Sequence, residues 1–193
     1  MTPLNGNPRS SADYYRGAGG SLNIRAGSIA GSGRISADVG YPPDNHGPSG
    51  GGRVAIRLTD ANADFDDYTG PITARGARKS DTANVWVGGA GTVWTSTAAQ
   101  GDDHGTLVVD NGFPKLKDWA ETPIGGLVTG NAFGDVFVGG SARLEVSEGA
   151  SLFVSGVLSN GCEFAALADS TVSFFGAGLS FLIAIFYFVK KLL

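Results

Sequence analysis

The sequence is poor in the residues that staple, charge or catalyse. One cysteine, Cys162, in 193 residues excludes an internal disulfide framework and any multi-cysteine metal site. It reads first as a small packed apolar residue rather than a nucleophile. Positive charge is scarce: 14 Lys and Arg stand against 18 Asp and Glu, a formal net charge of -4. No strongly basic surface for nucleic acid follows from that balance, and the Lys115 and Lys117 pair does not change it. The opening MTPLNGNPRSSADYYRGAGG lacks the apolar segment of a secretory signal. Either the protein is not exported alone, or this is a piece of a longer chain with its signal upstream. Two-residue Asn-Gly turns between strong strands are also missing, which weighs against a sandwich of hairpins.

Glycine is abundant, with 31 residues, roughly double the average share of about 7%. No Gly-X-Y period suggests collagen, and 42% apolar content is too high for a disordered linker. Glycine here punctuates short strands. The clearest case is GGGRVAIRL, Gly50 to Leu58, where Val54, Ile56 and Leu58 fall two apart and share one strand face while the arginines take the other. A phosphate-cradling loop would need the glycines to open a helix, and these open a strand.

The same unit recurs. Gly19 to Gly40, GGSLNIRAGSIAGSGRISADVG, holds three very short strands, and three strands in about 20 residues make one coil of a β-solenoid. PITAR, NVWVGGAGTVWTS and TLVVD follow, then VFV, ARLEV, SLFV, EFAA and TVSF. Leu144 to Leu152 and Phe164 to Val172 are steps of eight, and Ser151 to Ala166 lines up with Ser21 to Ala37 with one deletion. Strands this short cannot bury an apolar face alone, whereas stacked coils pair every ladder and bury the inward side chains. The expected fold is therefore all-β, a parallel β-helix of right-handed crossovers, with a hydrophobic C-terminal helix. Its expected parts are a lead-in at 1–18, a first solenoid block at 19–112, a junction at 113–134, a second block at 135–173 and a tail at 174–193.

The chain carries several polar stretches with candidate chemistry. TDANADFDDYTG gathers Asp60, Asn62, Asp64, Asp66 and Asp67. Its D-x-N-x-D opening matches a calcium loop, but Phe65 stands where glycine is needed and Pro71 where the bidentate glutamate belongs. A solvated turn is the plainer reading. Trp86 and Trp94 are eight apart; they read first as wall aromatics and second as a platform for sugar rings. His46 lies in the loop 41–52 with no second ligand-type residue at metal spacing, and Asp102, Asp103 and His104 make a weak dyad in a polar turn. No metal or cofactor is expected.

From Ser170 to Val189 there is no charge, and Lys190 and Lys191 follow. Phe174, Phe175, Leu179, Phe181, Leu182, Ile183, Ile185, Phe186, Tyr187, Phe188 and Val189 form its apolar core. As a helix the 16 residues from Phe174 reach about 24 Å against a hydrocarbon thickness near 30 Å. A membrane anchor, a buried terminal strand or helix capping the solenoid, and an artefactual tail are the three readings. An anchor would leave the solenoid outside the cell.

Taken together, GGSLNIRAGSIAGSGRISADVG, GGGRVAIRL, PITARGA, GGAGTVW and GTLVVDNG resemble the glycine-rich repeat modules of large bacterial surface proteins, adhesin-like and autotransporter-passenger-like parallel β-helices. The resemblance covers Gly19 to about Phe174. It implies an extracellular, stalk-like or adhesive role at the cell surface, without an active site, with glycans or neighbouring surfaces as partners. A polysaccharide-active β-helix enzyme is the alternative, with Asp64, Asp66 and Asp67 and either Arg57 or Arg75 as its acid, base and cation. A membrane-anchored protein of unrelated role is the third.

Overall fold

In GGGRVAIRL the alternation becomes a six-residue strand in which Val54, Ile56 and Leu58 are buried and Arg53 is exposed. The structure, a computed structural model, describes residues 17–40, 49–77, 86–101, 104–112, 118–125, 131–160, 163–166, 171–174 and 186–188. Among these it is all-β, with no helix. The strands are β1 (Ser21–Ala26), β2 (Ile35–Ser36), β3 (Arg53–Leu58), β4 (Ile72–Thr73), β5 (Trp86–Val87), β6 (Thr92–Ser96), β7 (Thr106–Asp110), β8 (Asp118–Trp119) and β9 (Glu121–Ile124). They continue with β10 (Asn131–Phe133), β11 (Val136–Gly139), β12 (Arg143–Val146), β13 (Ser151–Val154), β14 (Leu158–Asn160), β15 (Glu163–Ala166), β16 (Thr171–Phe174) and β17 (Phe186–Phe188).

A six-stranded sheet in the order β1-β3-β6-β7-β11-β14 runs through both halves of the chain. A four-stranded sheet, β17-β15-β12-β9, and a three-stranded sheet, β10-β13-β16, complete the second half. From β9 onward the chain visits the four-stranded, three-stranded and six-stranded sheets in turn, and repeats that rotation. Thr122, Leu144 and Phe164 occupy one register position in successive visits, and Leu152 and Val172 another. The eight-residue steps seen in the sequence thus join equivalent positions on consecutive strands. The alignment of Ser151–Ala166 with Ser21–Ala37 does not: β13 and β1 belong to different sheets, so that likeness is one of strand-and-turn pattern.

Every strand pairing among the described residues is parallel except that of β6 with β7. The connection from Thr97 to Gly105 is too short for a parallel crossover, which takes about a dozen residues or more. The Thr97 N–H donates to Gln100 Oε1 at 3.0 Å and the Gln100 N–H to Thr97 Oγ1 at 3.3 Å. This reciprocal box and Gly101, at φ 78°, turn the chain back.

The reversal also moves the core across the sheet. On β1, β3 and β6 the residues Ile24, Val54, Ile56 and Val93 face one core, which also takes Ala37, Leu58 and Ala74. Val93 stands opposite Val108 and Trp94 opposite Leu107, so Val108 shares the first core's face while Leu107 and Val109 point the other way. Leu107, Val109, Val136, Val138 and Leu158 line the second core with Leu144, Val146, Leu152 and Val154. Each such buried aliphatic side chain contributes about 1.5–3 kcal/mol relative to exposure.

Glycine precedes the central strands for a reason other than turning. Gly51 and Gly52 have no positive φ; the Gly52 N–H donates to Ala37 O at 2.9 Å, and a Cβ there would overlap Gly20 O. The neighbouring backbones approach too closely for any side chain.

Within the stretch expected as a junction, β8, β9 and β10 join the sheets. Pro123 fits because β9 is an edge strand and its missing N–H interrupts no inner ladder. Of the expected terminal helix, Phe175, Leu179, Phe181, Leu182, Ile183, Ile185 and Val189 lie outside the described residues. Phe174 ends β16, and Phe186–Phe188 are strand, paired in parallel with β15. No helix among the described residues is long and apolar enough to cross a membrane.

Candidate binding face

The acidic turn after β3 is held by its backbone and its apolar residues. The Asp60 N–H donates to Gly27 O at 3.1 Å, and the Gly31 N–H donates to Asp67 O at 2.9 Å. Ala63 and Phe65 pack on the first core, while Asp60, Asn62, Asp64, Asp66 and Asp67 are exposed. Asp64 Oδ1 accepts the Asp66 N–H at 3.0 Å, an Asx turn. Alternation along the turn therefore sends the carboxylates outward, and no three His, Cys, Asp or Glu among the described residues converge on a metal-sized point.

The cations paired with this turn in the enzyme reading are not both near it. Arg57 lies on β3 just before the turn. Arg75 follows β4, next to Ala74, whose carbonyl accepts the Gly91 N–H at 2.7 Å beside the start of β3. One strand length, about 20 Å, separates those two ends. Trp86 and Trp94 belong to different sheets, in β5 and β6. Trp94 is half-buried with its indole against Gly105; the side chain of Trp86 lies outside the described residues. His46, Asp102, Asp103, Lys115, Lys117 and Cys162 lie outside them as well, and His104 is exposed.

Two polar centres stand out that the sequence did not suggest. Asp38 is half-buried, with the Arg75 N–H donating to its Oδ1 at 2.6 Å, the Thr73 hydroxyl to its Oδ2 at 3.0 Å, and Arg34 paired with the same oxygen. Burial alone raises its pKa, but the Arg75 N–H, the Thr73 and Ser36 hydroxyls and Arg34 together hold it below the ordinary carboxylate value. Asn111 is fully buried. Its Oδ1 accepts the Gly76 N–H at 2.8 Å and its Nδ2 donates to Gly88 O at 3.1 Å and towards Ser141 O at 3.5 Å. Both side chains have their hydrogen-bonding capacity committed to backbone and neighbours, so they bind the fold together rather than a ligand.

The outward face of β1, β3 and β6 is the surface with chemistry to spare. Strand register sets its side chains in rows: Ser21, Arg53 and Thr92; Asn23, Ala55 and Trp94; and Arg25 and Arg57, whose row ends at the fully buried Ser96. Arg25 and Arg57 sit directly opposite, and no acid occurs in any row. The signal was present as RxxxR in GGGRVAIRL and as Arg25 in LNIRA, but their alignment depends on a register that the sequence does not specify.

No known protein family, curated protein or solved structure matches the chain.

Proposed function

We propose that the chain is a non-catalytic structural or adhesive module of a bacterial surface protein, a right-handed β-solenoid of the glycine-rich kind, working outside the cell. The observation that carries this reading is the rotation of the chain through three sheets, with Thr122, Leu144 and Phe164 stacked at steps of 22 and 20 residues. Such a stack is a rod whose stability comes from neighbouring coils, a shape suited to holding a binding surface away from a cell. Two independent features agree with it. The acidic turn is tethered for packing, and its carboxylates diverge, which gives no acid and base facing one bond. In this reading glycans or neighbouring surfaces are its partners.

The test is an assay of the full chain against a panel of polysaccharides for new reducing ends and unsaturated products, beside its adhesion to glycan-coated surfaces. Adhesion without product release is the expected result. Product release that Asp66→Ala abolishes would replace this reading with the enzyme.

A further inference from the structure

We infer that the outward face of β1, β3 and β6 binds an acidic polysaccharide, an inference that rests on the adhesive reading above and supplies its ligand class. Arg25 and Arg53 are exposed, and neither forms an ion pair among the described residues. Arg57, directly opposite Arg25, is half-buried and already engaged, so Arg25 and Arg53 are the two cations the face offers. The rows containing Arg53 and Arg57 are four residues apart on one strand, about 13 Å at 3.3 Å per residue. The row between them holds Asn23, Ala55 and Trp94. Ala55 leaves a shallow dip between the cations, Asn23 offers an amide to hydroxyl groups, and Trp94 offers the uncovered part of its indole to a sugar ring. Cation, sugar-sized dip, cation is the order met by a linear glycan that carries acid groups at intervals. Guanidinium groups take carboxylate and sulfate in bidentate fashion, which suits them better than lysine to this task.

Nucleic acid fits the face less well. Its phosphates repeat every ~3.4 Å along a strand, a density that two cationic rows about 13 Å apart do not match. The rest of the chain is acidic and would repel a long polyanion that spread beyond the face. An extended glycan can engage the face alone.

The experiment is a titration of the full chain with polygalacturonate and chondroitin sulfate oligosaccharides, with neutral dextran, a single-stranded oligonucleotide and anionic phospholipid vesicles as comparisons. At least one acidic glycan is expected to bind, dextran is not, and binding should weaken by about tenfold or more between roughly 50 and 200 mM salt. The double variant Arg25→Gln/Arg53→Gln, with an unchanged circular dichroism spectrum, is expected to bind at least about tenfold more weakly, and Asp64→Asn/Asp66→Asn as well as the parent. If the double variant does not fold, Arg25→Gln alone should weaken binding and salt sensitivity together. No binding to either glycan, undiminished binding by the arginine variants, or a preference for oligonucleotide or vesicles would overturn the inference. Those results leave the structural role standing, whereas product release from a bound glycan would overturn that role and leave the binding face in place.

Discussion

Val93 lies directly opposite Val108 in the one antiparallel pairing among the described residues, and there the hydrophobic core changes sides of the sheet. Before this pair the interior lies on the Val54 and Ile56 face; after it, on the Leu107 and Val109 face. Phe137, on the face that β11 turns outward, is 40% exposed, while its neighbours Val136 and Val138 are buried. Val138→Ser should therefore cost about 2–4 kcal/mol in chemical denaturation, and Phe137→Ser less than about 1 kcal/mol. Equal losses would contradict the assigned faces.

This crossing explains what was legible in the sequence. Strict alternation in RVAIRL has one solution, since a strand that buries one face needs only one parity of apolar residues. In TLVVD three apolar residues are consecutive because Val108 serves the first core and Leu107 and Val109 the second. Alternation says nothing of strand direction, so the reversal was hidden, although the Thr97 and Gln100 box with Gly101 was a readable turn signal. Asn111 was hidden for a similar reason: in the sequence Asn-Gly looks like a common turn pair, and only the chain's path brings Gly76 and Gly88 to its amide.

Glycine positions separate into two classes. Gly52→Ala would place a Cβ on the Gly20 carbonyl and should destabilise by about 1–3 kcal/mol or more. At Gly33 nothing lies within 4 Å of the added atom and φ is not positive. Gly33→Ala should be neutral or stabilise by up to about 1 kcal/mol, by restricting the unfolded chain. Thermal melts of the two variants give the comparison directly.

Asn111→Ala strands a buried N–H at Gly76 and a carbonyl at Gly88. At about 1–3 kcal/mol for each unpaired group, the loss should be roughly 2–6 kcal/mol. Asn111→Asp should not rescue it, because the carboxylate keeps the acceptor and loses the donor. Urea denaturation of the three proteins checks both statements.

Asp38 makes stability depend on acid. Its carboxylate has a lowered pKa in the folded protein, so its contribution is complete above the ordinary value of 3.8 and is lost as the pH falls through the lower folded value. Between about pH 4 and pH 2 the parent should lose stability more steeply than Asp38→Asn. Above pH 5 the variant should be the less stable of the two by about 1 kcal/mol, since solvent screens this half-buried carboxylate below the full worth of a charged hydrogen bond. Parallel slopes below pH 4 would remove Asp38 from the acid response.

Each strand of the second half pairs with a strand from the preceding or following visit to the same sheet. Backbone nuclear Overhauser effects around Leu144 measure this directly. Parallel cross-strand contacts are expected from Leu144 to both Thr122 and Phe164, and from Leu152 to Val172. Antiparallel contacts joining Arg143–Val146 to the next strand, Ser151–Val154, would indicate hairpins and contradict it.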